Sequence, residues 1–212
     1  MLNDYGFVIS QFKSDQLKEL NYHEMSHASD FVKAGGAWYN SFVGAELGEI
    51  LIHPSPTDKF NPYGTGLTSN SPIIALGEGW AYHMGHYLAD QRYGINASCT
   101  NEGQQYSYCP DVNGTPTPHP HIDVLENYVA AYTPDPFHWI PKGLMYDLID
   151  NGEPTAFTNV NDLVSGYTIA QLFAALQSDV TTVAQYKARL LQQNPGNPTN
   201  SNLNALFTSY GF

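Results

Sequence analysis

The chain has 212 residues, enough to bury a hydrophobic core, and one domain is expected rather than two small ones. Eight basic against 20 acidic side chains give a formal charge of −12, which argues against nucleic acid or an anionic membrane as a partner. No apolar run approaches the roughly 18 residues of a membrane-spanning helix, and no signal peptide precedes the first predicted helix.

From the N-terminus, Met1 to Phe12 has room for one strand at most, at Phe7-Val8-Ile9. Gln11 to about Ala34 reads as a long helix stopped by Gly35-Gly36, with no proline from Gln11 to Val32. Leu17, Leu20, His23, Glu24, His27 and Phe31 recur at three- and four-residue spacing, which predicts one shared face. Within this helix Tyr22-His23-Glu24-Met25-Ser26-His27 contains H-E-x-x-H. Residues four apart stack on one side of a helix, so His23 and His27 can offer two imidazole nitrogens to one metal ion, with Glu24 beside them. The plainer alternative is a pair of core histidines satisfied by hydrogen bonds.

Ala37 to Ile52 is a mixed apolar stretch, expected as a short helix or an extended segment beside the site. Pro54 to Pro72, rich in Pro, Gly, Ser, Thr and Asn, reads as a loop. Ile73 to Tyr93 is the second long helix, and it carries Ala75-Leu76-Gly77-Glu78-Gly79-Trp80-Ala81-Tyr82. A catalytic zinc site takes three protein ligands and keeps one position open, and a carboxylate on a second helix is a usual third ligand. Glu78 is that candidate. Tyr82 and Gly85 share its face more closely than His83 does, and His86 lies two turns away, so both histidines are expected in surface or packing roles. Asp30, Asp90 and Asp147 are candidates for orienting the ligand histidines.

Asn96 to His121 is a polar, proline-interrupted loop in which Cys99 and Cys109 enclose Thr100 to Tyr108. A local disulfide is expected there, with two free thiols as the alternative. With 15 tyrosines, few Lys and Arg, and sequon-like triplets at Asn96 and Asn113, this composition fits an extracellular, periplasmic or cell-surface location. Ile122 to Tyr132 reads as a helix, and the Trp139-Ile140-Pro141-Lys142-Gly143 segment follows it. Thr168-x-x-Gln171 and Thr182-x-x-Gln185 are capping-box patterns opening two amphipathic helices. A last helix is expected at about Leu203 to Tyr210, stopped by Gly211, and all three should pack behind the site.

His23, Glu24 and His27, followed by Glu78-Gly79-Trp80-Ala81, resemble the gluzincin zinc metallopeptidases over roughly Gln16 to Asp90. That resemblance implies a mainly α, zincin-like catalytic domain over 1–212, with two active-site helices and loops in 1–150 and a C-terminal helical part in 151–212. It also implies Zn²⁺ held by His23, His27 and Glu78, Glu24 as general base, and a peptide or protein substrate. The fifty residues between His27 and Glu78 exceed the family's spacing, so Lys33 to Pro72 is expected to loop out. Ile140 stands where a Y-x-K-G tyrosine would support the tetrahedral intermediate, which leaves His138 or Tyr146 to supply that donor. The sheet lobe that precedes the first active-site helix in zincins is reduced or missing, and the chain is expected to be a piece of a longer protein or to borrow the lobe from a partner domain. The rival expectation is a catalytically inactive, metal-stabilised binding or assembly module.

Overall fold

A computed structural model of the chain describes residues 14–52, 62–93, 139–150, 160–161 and 163–212. The strand expected at Phe7-Val8-Ile9, the Cys99 and Cys109 loop, the helix at Ile122 to Tyr132 and the candidate donor His138 lie outside the described residues. The described residues form helices and turns, with no strand among them. None of these helices is long and apolar enough to cross a membrane.

Helix α1 spans Ser14–Ala34. Its buried stripe is His23, Ser26, His27, Asp30 and Ala34, stepping by three and four residues as a single helix face must. The apolar face expected on this helix is displaced from that stripe, because Leu20 and Phe31 are each 51% exposed and Glu24 faces solvent. The side turned inward is polar, and it meets polar partners in the 71–93 segment, Glu78 foremost.

Helix α2 spans Gly36–Ile52, which settles the helix-or-extended alternative. Trp38, Phe42, Ala45 and Glu49 repeat at helical spacing and form its buried side. The expectation that Lys33 to Pro72 loops out is corrected by this element. An apolar stripe with that period is stabilised by packing against other helices, so α2 is part of the core.

Helix α3 spans Ser71–Tyr93. Pro72 sits in its first turn, where the missing N–H has no intrahelical acceptor to lose. Helices α1 and α3 run antiparallel: Glu19 and His23 of α1 lie against Gly85 and His86, while Ser29 accepts a hydrogen bond from Trp80 Nε1 at 3.1 Å. Bare glycine at position 85 lets the backbones close, since a Cβ there would stand 3.2 Å from both the Glu19 carbonyl oxygen and His23 Cβ.

The C-terminal part adds α4 (Leu144–Asp147), α5 (Ile169–Ala175), α6 (Val183–Gln193), a 3₁₀ turn (Asn200–Asn202) and α7 (Leu203–Ser209). Thr168 and Gln171 form a complete capping box. At α6, Thr182 caps the Gln185 N–H, but the Gln185 side chain reaches past it to the Thr181 N–H at 2.8 Å, so only half of the expected box closes. These helices pack behind α2 and α3 as expected: Trp38 Nε1 donates to the Val180 carbonyl at 2.7 Å, and the Trp80 ring stacks on Phe173 at 5.7 Å. A continuous buried apolar cluster runs from Ala34 through Trp38, Phe42, Trp80 and Leu144 to Tyr186 and Tyr210.

Gly77 abuts the buried Phe42 ring so closely that a Cβ would stand 2.6 Å from it. Gly77→Ala is therefore expected to lower the urea midpoint, because overpacking costs about 1–3 kcal/mol and outweighs the roughly 1 kcal/mol that alanine gains in a helix. An unchanged or higher midpoint would show that the α2–α3 contact gives way freely.

Candidate metal centre

His23 and His27 project from one face of α1 and Glu78 from the facing side of α3, all three buried. Their donor atoms converge: Glu78 Oε2 lies 3.3 Å from His23 Nε2, and Glu78 Oε1 lies 3.3 Å from His27 Nε2. One ligand atom from each of the three residues falls within 4.8 Å of the others. Two ligands about 2.0–2.1 Å from a tetrahedral zinc stand about 3.4 Å apart, so these separations suit that ion. The donor set, two imidazoles and a carboxylate, suits it as well.

The electrostatics explain how an acid survives in this interior. Burial pushes the Glu78 carboxyl up, but hydrogen bonding to and the charge of His23 and His27 outweigh it and hold the group well below the usual carboxylate range. Burial opposes charge on His27 as well, yet Asp30 and Glu78 together raise it to about 10. Asp30 is one turn further along α1, 1% exposed, with Oδ2 3.7 Å from His27 Nδ1. Of the three aspartates considered for orienting a ligand histidine, Asp30 is the one placed at His27. The imidazole is flanked elsewhere by Phe42, whose ring stacks at 5.1 Å.

Glu24, next in sequence to His23, is exposed, and its charge acts on Glu46. Two further residues at this site had escaped the sequence reading. Glu46 of α2 hydrogen-bonds Glu78, and burial followed by the charge of Glu78 raises its carboxyl to about 9. Tyr63, from the segment before α3, hydrogen-bonds Tyr82 and feels the charges of Glu78 and Glu46. Tyr82, one turn beyond Glu78, sets its ring edge-on to His23 at 4.6 Å, and Lys142 Nζ lies over that ring, 4.5 Å from its centroid. An acidic residue inside the apolar 37–52 run was a usable signal for Glu46. Nothing in a Pro- and Gly-rich loop marked Tyr63.

Tyr146 is placed against His83, with ring centroids 4.5 Å apart. His83 is five residues beyond Glu78 and so about 140° round the helix from it. Ile140 is buried. His83 and His86 are interior side chains, His86 facing Glu19 with Nε2 to Oε1 at 3.4 Å, so the packing alternative holds for both rather than the surface one. No protein-family model, no curated protein and no solved structure matches this chain.

Removing the charge that faces His27 Nδ1, in Asp30→Asn, is expected to weaken metal binding about 10- to 100-fold in a chelator competition, whereas an unchanged affinity would make Asp30 a bystander. A second expectation concerns acid. Burial, then the neighbouring His86, lowers His83 from 6.5 to about 3. The unfolded chain therefore takes up that proton first: the stability His83 contributes is complete above about pH 6.5 and is lost as the pH falls toward 3. The urea midpoint should drop between pH 7 and pH 5, and the drop should be smaller in His83→Leu. Equal slopes would remove His83 from the account.

Proposed function

We propose that this chain is a zinc-dependent metallopeptidase domain of gluzincin type that hydrolyses peptide bonds in peptides or proteins. The observation that supports this reading most directly is the convergence of His23, His27 and Glu78 in a buried group, with Glu24 exposed on the same helix. When bound, zinc would lower the pKa of a water molecule and polarise a carbonyl. Glu24 directly follows the first ligand, which sets its carboxylate beside the group without making it a member. From there it takes a proton from the attacking water and later delivers it to the leaving amine. Asp30 holds His27 in one orientation, and the buried ligand carboxylate keeps its charge through the two imidazoles.

Among the described residues the ligand group has three members. Three is the number of protein ligands in a catalytic zinc site. A location outside the cytoplasm belongs to the same proposal and rests on the sequence around Cys99 and Cys109. The second reading, an inactive module stapled by its metal, draws on Ile140, which is buried where the resembled family carries a tyrosine.

Elemental analysis after dialysis should find one zinc per chain in the wild type and little in Glu78→Ala. Glu24→Gln should keep the zinc while hydrolysis of a peptide library falls at least about 100-fold. Undiminished hydrolysis in Glu24→Gln would sink the assignment of the base. Zinc without any hydrolysis in the wild type would transfer the conclusion to the stapled module.

A further inference from the structure

A ligand histidine needs its ring plane fixed as well as its place on the helix. The χ2 torsion of histidine is broad, so a ring held only through its backbone can tilt its nitrogens away from a common point. Asp30 Oδ2, 3.7 Å from His27 Nδ1, sets which nitrogen turns away from Glu78. The tilt of the ring is governed by another neighbour. Phe42 of α2 lies against the imidazole face, with centroids 5.1 Å apart and planes 29° apart.

The same phenyl ring makes a second contact at the site. Gly77, the residue before Glu78, turns its bare Cα to the ring edge, where a Cβ would stand 2.6 Å from Phe42 Cε2 and 2.8 Å from Cδ2. One ring therefore touches His27 through its face and the backbone next to Glu78 through its edge. Phe42 has little room to yield. It is 2% exposed, and the Trp38 ring stacks on it at 5.8 Å with the planes 14° apart. Trp38 is held in turn by its Nε1 hydrogen bond to the Val180 carbonyl at 2.7 Å. That carbonyl lies in the turn between α5 and α6, which is closed by Val180 N–H on the Gln177 carbonyl at 2.9 Å and braced by Arg189 Nη2 on Asp179 Oδ2 at 2.6 Å.

Ligand atoms have to be held within about 0.5 Å and 10–20° of a productive geometry, by side chains whose own rotamers are locked by packing. We propose that Phe42 is the positioning residue for the His27 and Glu78 pair: its face sets the plane of the imidazole, its edge sets how near the Glu78 turn can come, and Trp38 anchors it. The inference rests on the metal reading of His23, His27 and Glu78, and not on the reaction assigned to it. Without the ring, His27 tilts, the Gly77 turn moves into the vacated space, and the group loses the spacing that suits a four-coordinate ion.

Two readouts test this without a substrate. Zinc affinity is measured by chelator competition, and coordination number by the visible absorption of bound cobalt(II), which is intense for four-coordinate and weak for six-coordinate ions. Phe42→Leu should weaken zinc about 10- to 100-fold, the range for loss of a group that orients a ligand, and should dim the cobalt bands. Trp38→Phe, which keeps a ring on Phe42 but removes the N–H to Val180, should move both readouts in the same direction by less. Leu206→Ala, which opens a cavity elsewhere in the same buried cluster, should lower the urea midpoint and leave both metal readouts where they are. Unchanged zinc affinity and cobalt absorption in Phe42→Leu overturn the proposal, as does an equal shift in Leu206→Ala, which would mean that any loosening of the core disturbs the site. If Phe42→Leu does not fold, Trp38→Phe decides on the same terms. A wild type that takes up neither zinc nor cobalt is a separate result that removes the metal reading itself, and this proposal with it.

Discussion

The interaction on which the rest of the structure depends is the clasp of one buried carboxylate between two imidazoles. A charge of that kind has no place in an apolar interior unless paired, and the penalty for leaving it alone would be several kcal/mol. Glu78 satisfies the condition only if α1 and α3 pass close together with their histidine and glutamate faces in register. The close backbone approach at Gly85, the polar stripe on α1 and the antiparallel run of the two helices all serve that register. The histidines thereby acquire partners that an ordinary core would not offer.

Around the clasp the chain places a ring of supporting groups from a segment that sequence spacing treated as surplus. Helix α2 contributes Phe42 against His27, Glu46 against Glu78, and Glu49 as the acceptor for Asn70 Nδ2. These are three different services from one helix: an apolar wall, a proton-bearing neighbour and an anchor. They come from one face because positions 42, 46 and 49 are separated by four and three residues.

How much of this was legible in the sequence depended on whether the signal was local. The juxtaposition of His23 and His27 could be read because their relation is set within one helical turn, and that of Glu78 because it sits in a helix with a matching motif. The Thr168 cap was readable for the same reason. The position of Asp30 beside His27 was partly readable, since a three-residue step keeps it on the same side. Tyr63 was not, because it meets Tyr82 and Glu46 across the fold, and no periodicity encodes a tertiary contact. The buried face of α1 was misjudged at Leu20 and Phe31 because hydrophobic pattern assigns apolar residues to the interior, and here electrostatic pairing decides which side turns inward. The Tyr146 ring lies edge-on to His83, where α4 meets α3.

The bond from Trp38 to the Val180 carbonyl, together with the Trp80 ring on Phe173, joins α2 and α3 to one and the same C-terminal layer. That layer contributes no ligand, yet it works as a jig: both helices that carry site residues are gauged against a common surface, so the span between them is set by parts far from it in sequence. Tolerance to change should therefore be divided unevenly along the chain. The outer sides of α2 that display Leu47 and Leu51 are free to drift, whereas the residues lining the jig carry a dimensional duty that their distance from any chemistry conceals.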